Sequence, residues 1–200
     1  MATDRKPFSQ ACENNRAPIL AVLEKVFAHA RHVLEVGSGT GQHAAFFAGQ
    51  LQHLVWQPSD TQENLPGIAQ WVNSVDLANL REAQHFDVRD SSLPTGDFDA
   101  VFSANTLHIM SWECVEKTFT HMSMLAYGTL LCIYGPFNYN GQFTSASNAR
   151  FNDWLLQRNP QSAIRDFEAV NALAADAGYR LQRDYEMPAN NRLVYWKKVS

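Results

Sequence analysis

The sequence predicts a doubly wound α/β fold, a mostly parallel sheet of seven strands whose last strand is antiparallel, with helices on both faces. Three observations carry this. Short apolar runs alternate with segments whose apolar residues recur at helical spacing, the pattern of repeated strand–helix units. Val33 to Gly41 reads as a buried strand entering a glycine turn, with a helix from Gln42 to Leu51 behind it. Two strand-like segments, Tyr179–Tyr185 and Arg192–Val199, close the chain as a hairpin, which a plain nucleotide-binding fold lacks.

Length and composition bound the answer. Two hundred residues make one domain, 1–200, the expectation, and 46% hydrophobic with 18% charged residues describes a folded globular chain. Sixteen Lys and Arg against twenty Asp and Glu, a net charge of −4, leave no electrostatic footprint for nucleic acid. Cys12, Cys114 and Cys132 are far apart, with no C-x-x-C spacing, so they suggest neither a disulfide framework nor a zinc site and fit a reducing cytoplasm. No apolar run follows Met1–Lys6 and no stretch reaches the length of a membrane span, so no membrane partner is expected.

The elements follow in order. Residues 1–30 are read as an N-terminal cover and a helix. Polar Phe8–Arg16 is either a cover over the site or a helix cap made by Asn14 and Asn15, ahead of Pro18 and a helical face of Ile19, Val22, Leu23, Val26 and Phe27. The first strand, Val33–Val36, contains Glu35, which needs a partner. The second strand, Leu54–Gln57, is stopped by Pro58, and a helix with Ile68, Trp71, Val72 and Val75 follows. Ala83–Val88 gives the third strand, Leu93–Gly96 a turn, and Asp97–Phe102 the fourth strand. A helix with Trp112, Val115, Phe119 and Met122 is closed by Gly128, and Thr129–Tyr134 is the fifth strand. Residues 135–165 are too long for a plain connection and read as a substrate-side insertion with a helix from Asn148 to Gln157. Asp166 caps a further helix that Gly178 ends.

The glycine turn carries the first functional signal. Glycine lets the backbone take positive φ and approach a ligand closely, which accounts for Gly37, Gly39 and Gly41. A pyrophosphate-binding turn, G-x-G-x-x-G, would put its third glycine at position 42, where Gln42 stands. The pattern Glu35-x-Gly37-x-Gly39-x-Gly41 instead resembles the first motif of class I S-adenosylmethionine-dependent methyltransferases. Asp60 lies 21 residues after Gly39, near the spacing of an acid that binds ribose hydroxyls of adenosylmethionine or NAD, or else it caps a helix. Asp87 at the end of the third strand can take an adenine amino group. Ser103 to His108 places polar groups where an open α/β sheet keeps its ligand crevice.

Six blocks taken together, Ala11–Asn15, Gly37–His43, Trp56–Asp60, Ala104–His108, Tyr134–Phe137 and Met187–Asn191, resemble the methyltransferase-like protein 26 family, also called domain of unknown function 938. The resemblance runs almost end to end. It implies a stand-alone Rossmann-like class I methyltransferase domain with S-adenosyl-L-methionine as cofactor. On that reading Asn15, Glu35, Gly37, Ser38, Gly39, Thr40, Gly41, Gln42 and Asp60 belong to the cofactor site, with Asp87 and Val88 at adenine and Asn105 at the methionine end.

Methyl transfer from a sulfonium is an in-line displacement, which gains most from alignment and from exclusion of water. Where the acceptor starts protonated a base helps, and His108 is the candidate, with Asn105 beside it, unless His108 only packs the crevice wall. Tyr134, Asn138, Asn190 and Asn191 offer donors and acceptors to a polar acceptor, and Phe137, Tyr139 and Phe143 either wall it or merely seat the insertion. His29, His32, His53, His85 and His121 have no metal-like companions, so no metal is expected. The favoured function is methyl transfer to a small polar or zwitterionic metabolite; the alternatives are a non-catalytic adenosylmethionine sensor or scaffold and an NAD-dependent oxidoreductase. Nothing in the pattern fixes an oligomeric state.

Overall fold

The structure is a computed structural model that describes residues 6–90 and 92–200, so the first five residues of the expected N-terminal cover lie outside the described residues. The elements are α1 (Gln10–Val26), β1 (His32–Val36), α2 (Gln42–Gln50), β2 (Val55–Asp60), α3 (Leu65–Val72), β3 (Gln84–His85), β4 (Ala100–Ala104), α4 (Trp112–Ser123), β5 (Leu130–Gly135), β6 (Phe137–Asn138), α5 (Ala146–Arg158), β7 (Arg165–Asp166), α6 (Phe167–Asp176), β8 (Tyr179–Met187) and β9 (Asn191–Lys198), with a 3-10 turn at Pro188–Asn190. Seven strands form one sheet in the order β3-β2-β1-β4-β5-β9-β8, flanked by helices. β1 pairs parallel with β2 and β4, and β2 with β3. β9 is antiparallel to both β5 and β8, so β8 runs in the direction of β5. This is the expected mixed sheet with a closing antiparallel strand.

The chain divides into two compact units: residues up to Asp87 with Leu93–Phe102, and Val88–Ser92 with Ser103–Ser200. The first unit is built on α1, α2 and the strands they cover. Ile19, Leu23 and Phe27 are fully buried, and Phe47, Trp56 and Phe102 form an aromatic cluster with centroids 5.4 to 5.8 Å apart. In the second unit Val115, Phe119 and Met122 of α4 are buried with Cys132, Leu193, Val194 and Trp196, whose indole N–H donates to Asn171.

Several element boundaries differ from the sequence expectation. α1 begins at Gln10 after Ser9, so Asn14 and Asn15 lie inside the helix instead of capping it, and Pro18 sits within it. β2 does not stop at Pro58 but runs to Asp60. Its even residues point to the edge side, where the Trp56 N–H donates to Asn79 and the Phe86 N–H to the Asp60 carbonyl. The donor that Pro58 lacks would fall on that side, where the ladder is interrupted, so proline costs no bond to β1. The third strand shrinks to Gln84–His85.

The fourth strand starts at Ala100, three residues later than expected, because the Asp99 carboxylate is used to accept from the Arg31 and His32 N–H groups at the entry of β1. α4 ends at Ser123, and Gly128 serves the turn into β5, its N–H donating to the Lys198 carbonyl. The insertion helix appears one or two residues longer at each end, capped by the Ser145 hydroxyl. Asp166 holds the N-cap position of α6 without a capping side-chain bond, and Gly178 follows its last turn with φ +85°.

Candidate functional site

In the first unit the residues after β1 form a tight loop. Gly37, Gly39 and Gly41 all have positive φ (74°, 57° and 87°). The N–H groups of Gly37 and Ser38 both donate to the Ser59 carbonyl, at 3.0 and 3.1 Å, and the Gly39 N–H donates to Asp60 Oδ2 at 2.7 Å. The glycines have different reasons to be there. A Cβ on Gly41 would meet the Ile68 backbone at 3.0 Å, so Gly41 lets α3 pack closely; a Cβ on Gly39 would stand in open space. At Gly39 the loop backbone therefore lies bare.

Glu35 finds the partners its burial demands. The Trp56 indole N–H and the Ser38 hydroxyl both donate to its Oε2 at 3.0 Å, and the Ser59 hydroxyl donates to its carbonyl. Burial pushes this carboxyl up to about 7, against the pull of those two donors and with a further upward push from Asp60. Asp60 itself is nearly saturated: Oδ1 accepts from the Thr61 N–H, the Thr61 hydroxyl and the Asn64 amide, while Oδ2 accepts from Gly39. One lone-pair direction on Oδ2 remains for a hydroxyl donor. Phe86, which donates to the Asp60 carbonyl, places half-buried Asp87 just beyond the end of β3.

Gln42 ties α1 to this loop. Its Oε1 accepts from the Ser9 N–H at 2.5 Å and the Thr40 hydroxyl at 3.1 Å, and its Nε2 donates to Glu13, which pairs with Arg16. Asn15 Oδ1 meets His43 Nε2 at 2.7 Å, and burial, with Arg16 adding to it, holds the His43 imidazole down to about 4. The side chains of Asn15, Thr40 and Gln42 are thus engaged inside the protein. Trp56, Ser59, Glu13 and His43 lie within the blocks that carry the family resemblance but were given no role, since nothing in their local spacing marks them as supports of the loop.

In the second unit Val88 is buried, its carbonyl meeting His121 Nε2 at 3.0 Å. Asn105 takes φ +58° directly after β4 and donates its N–H to the Tyr134 carbonyl at 2.8 Å. At the end of β5, a Cβ on Gly135 would lie 3.6 Å from His108 Nδ1 and 3.9 Å from Asn105 Oδ1, so these two side chains converge there. His108 is buried edge-on to Phe151, and burial, helped by the Arg165 charge, holds its imidazole down to about 4. Protonating it at pH 7 would cost about 4 kcal/mol. His108 is thus a neutral hydrogen-bonding group and only a weak base. Arg165, unmarked by the sequence, clasps this loop by donating to the carbonyls of Leu107, Met110 and Gln161.

The insertion sorts the remaining expected residues. Tyr134, Phe137 and Asn138 are buried. Tyr139 stacks on Phe167 and donates to Asp184 at 2.6 Å beside the Arg192–Asp184 ion pair, while Phe143 is exposed. The amide of Asn190 donates to Ser147 of α5, and that of Asn191 to the Pro188 and Ala189 carbonyls of its own turn. That turn lies at the same end of the sheet as Gly135, because β8 and β5 run in one direction. Among the described residues no group of three His, Cys, Asp or Glu is arranged to hold a metal ion.

Solved structures with this fold include an O-methyltransferase family 2 protein from Planctomyces limnophilus in complex with apigenin (17% identity, TM-score 0.82, 94% of this chain and 58% of that one). Human N-acetylserotonin methyltransferase in complex with SAM is 14% identical, with TM-score 0.72 over 92% of this chain and 56% of that one. The O-methyltransferase NcsB1 from neocarzinostatin biosynthesis, in complex with S-adenosylmethionine and 2-hydroxy-5-methyl naphthoic acid, is 16% identical, with TM-score 0.77 over 94% and 55%. The chain spans a little over half the length of these proteins. The family described as "Protein of unknown function (DUF938)" matches residues 6–198, and with that match the chain belongs to this family.

Proposed function

We propose that this chain, read as a member of the methyltransferase-like protein 26 family and as one functional domain, transfers a methyl group from S-adenosylmethionine to a small polar or zwitterionic metabolite in the cytoplasm. The carrying observation is the glycine loop, with Gly39 bare to open space and its N–H fixed on Asp60. Loop chemistry favours a sulfonium over a pyrophosphate. Asp60 sets a carboxylate against the loop at Gly39, while the third glycine of a dinucleotide turn is replaced by Gln42. A carboxylate there stabilises a cationic cofactor and repels a phosphate. This reading disfavours the NAD-dependent alternative. The adenosylmethionine bound to the structural neighbours supports the same cofactor.

Gly37–Gly41 and the free lone pair of Asp60 would hold the cofactor, with Asp87 and Val88 assigned to adenine and Asn105 to its methionine end. The cofactor supplies an electrophilic methyl group on sulfur. The residues of the second unit orient the acceptor: His108 and Asn105 accept a hydrogen bond from its nucleophilic group, and the buried aromatic side chains exclude water. With a base as weak as His108, alignment contributes more than proton removal.

A methyl-transfer screen tests this, with labelled adenosylmethionine offered to fractionated metabolite pools. Wild-type protein is expected to yield labelled product from at least one pool, and His108→Ala and Asn105→Ala to lower the rate by roughly 10-fold or more. A folded protein that binds the cofactor and labels nothing in any pool would instead be the sensor.

A further inference from the structure

Asn138 stands apart from the other polar residues of the second unit. It is buried to 9% of its accessible surface on β6, and its Oδ1 has no hydrogen-bond partner among the described residues. A buried carbonyl oxygen left unpaired is costly, and the few that persist in a folded protein generally have a partner outside the chain. β6 begins two residues after β5 ends, so Asn138 lies within about 10 Å along the chain of Gly135. There Asn105 Oδ1 and a nitrogen of neutral His108 converge. Arg165, the cation near His108, spends its bonds on carbonyls. The Asn105 and Asn138 carbonyl oxygens are hydrogen-bond acceptors, and neutral His108 can accept through its unprotonated nitrogen.

We infer that Asn138 is a substrate-recognition residue whose Oδ1 accepts a hydrogen bond from an O–H or N–H group of the methyl acceptor, so that the acceptor class is a donor-bearing molecule and not a carboxylate. This rests on the acceptor side assigned above and narrows it. Buried Phe137 and half-buried Phe151, which meets the His108 ring edge-on, suit a molecule whose donor is carried on an apolar ring.

The test uses matched probes on the full chain: phenol, catechol and aniline against anisole, veratrole and N,N-dimethylaniline, with benzoate as the anionic arm. Binding is followed by side-chain amide NMR with and without S-adenosylhomocysteine. Donor probes are expected to shift the Asn138 amide and to bind about 10-fold more tightly than their capped partners or benzoate. Asn138→Leu should erase that preference, and Asn138→Asp, which keeps two acceptor oxygens, should preserve it and supplies the reading if the leucine variant does not fold. Equal binding of capped and donor probes, a preference that survives Asn138→Leu, tighter binding of benzoate, or no binding of any probe would overturn the inference. Because the preference is read without cofactor as well, failure of S-adenosylhomocysteine to bind would count against the methyltransferase reading alone.

Discussion

Glu35 is the residue on which the support of the glycine loop turns. Its carboxyl is held in the interior by Trp56 and Ser38, and Ser38 in turn accepts from the Ser59 N–H. With its folded value raised to about 7 from an ordinary 4.5, the folded state binds the extra proton between those two values. Stability from this group therefore falls as pH rises from 4.5 to 7 and stays reduced above that. Glu35→Gln keeps an acceptor for both donors and removes the charge. It should raise unfolding stability by about 3 kcal/mol at pH 8, with the difference vanishing near pH 4, as measured by urea titrations at both pH values. An equal effect at both pH values would show that Glu35 is not protonated on folding. The sequence announced that a carboxyl inside an apolar strand needs a partner. It did not say which, since Trp56 lies on the next strand and is brought to Glu35 by the sheet.

At the scale of elements, the loop between β1 and α2 separates packing from binding. Gly41 is pressed against α3, whereas Gly39 faces open space. Gly41→Ala should cost about 2 kcal/mol or more, from left-handed strain added to the clash with Ile68; Gly39→Ala should cost about 1 kcal/mol, from strain alone. Cofactor affinity should follow the reverse order, with Gly39→Ala losing about 10-fold where a bare backbone is needed. Thermal unfolding and calorimetry on the two variants check both orders, and equal loss of affinity in both would argue that the loop acts only as a fold element. The glycine pattern was readable because backbone requirements are local. Boundaries set by distant partners were not: Pro58 is tolerated because its missing donor faces a gap in the ladder, Asp99 leaves the strand to hold β1, and Asn15 enters α1 because it meets His43.

Across the whole molecule, a mostly parallel sheet of seven strands with an antiparallel last strand was legible because β1, β4 and β5 are buried, mostly apolar runs and the hairpin is contiguous in sequence. The division of labour within the polar residues was not. Asn190 bonds to Ser147 of α5, Asn191 to its own turn and Tyr139 to Asp184, while Arg165 clasps the His108 loop from 55 to 58 positions away. Spacing cannot report such long-range choices. The central claim is that Asp60 and the glycine loop hold a sulfonium cofactor, and titration calorimetry with S-adenosylmethionine tests it most directly. Wild-type protein is predicted to bind one equivalent, and Asp60→Asn, which weakens both the grip on Gly39 and the remaining acceptor, to lose about 10-fold or more. No heat at millimolar ligand from folded protein, or unchanged affinity in Asp60→Asn, would contradict the claim.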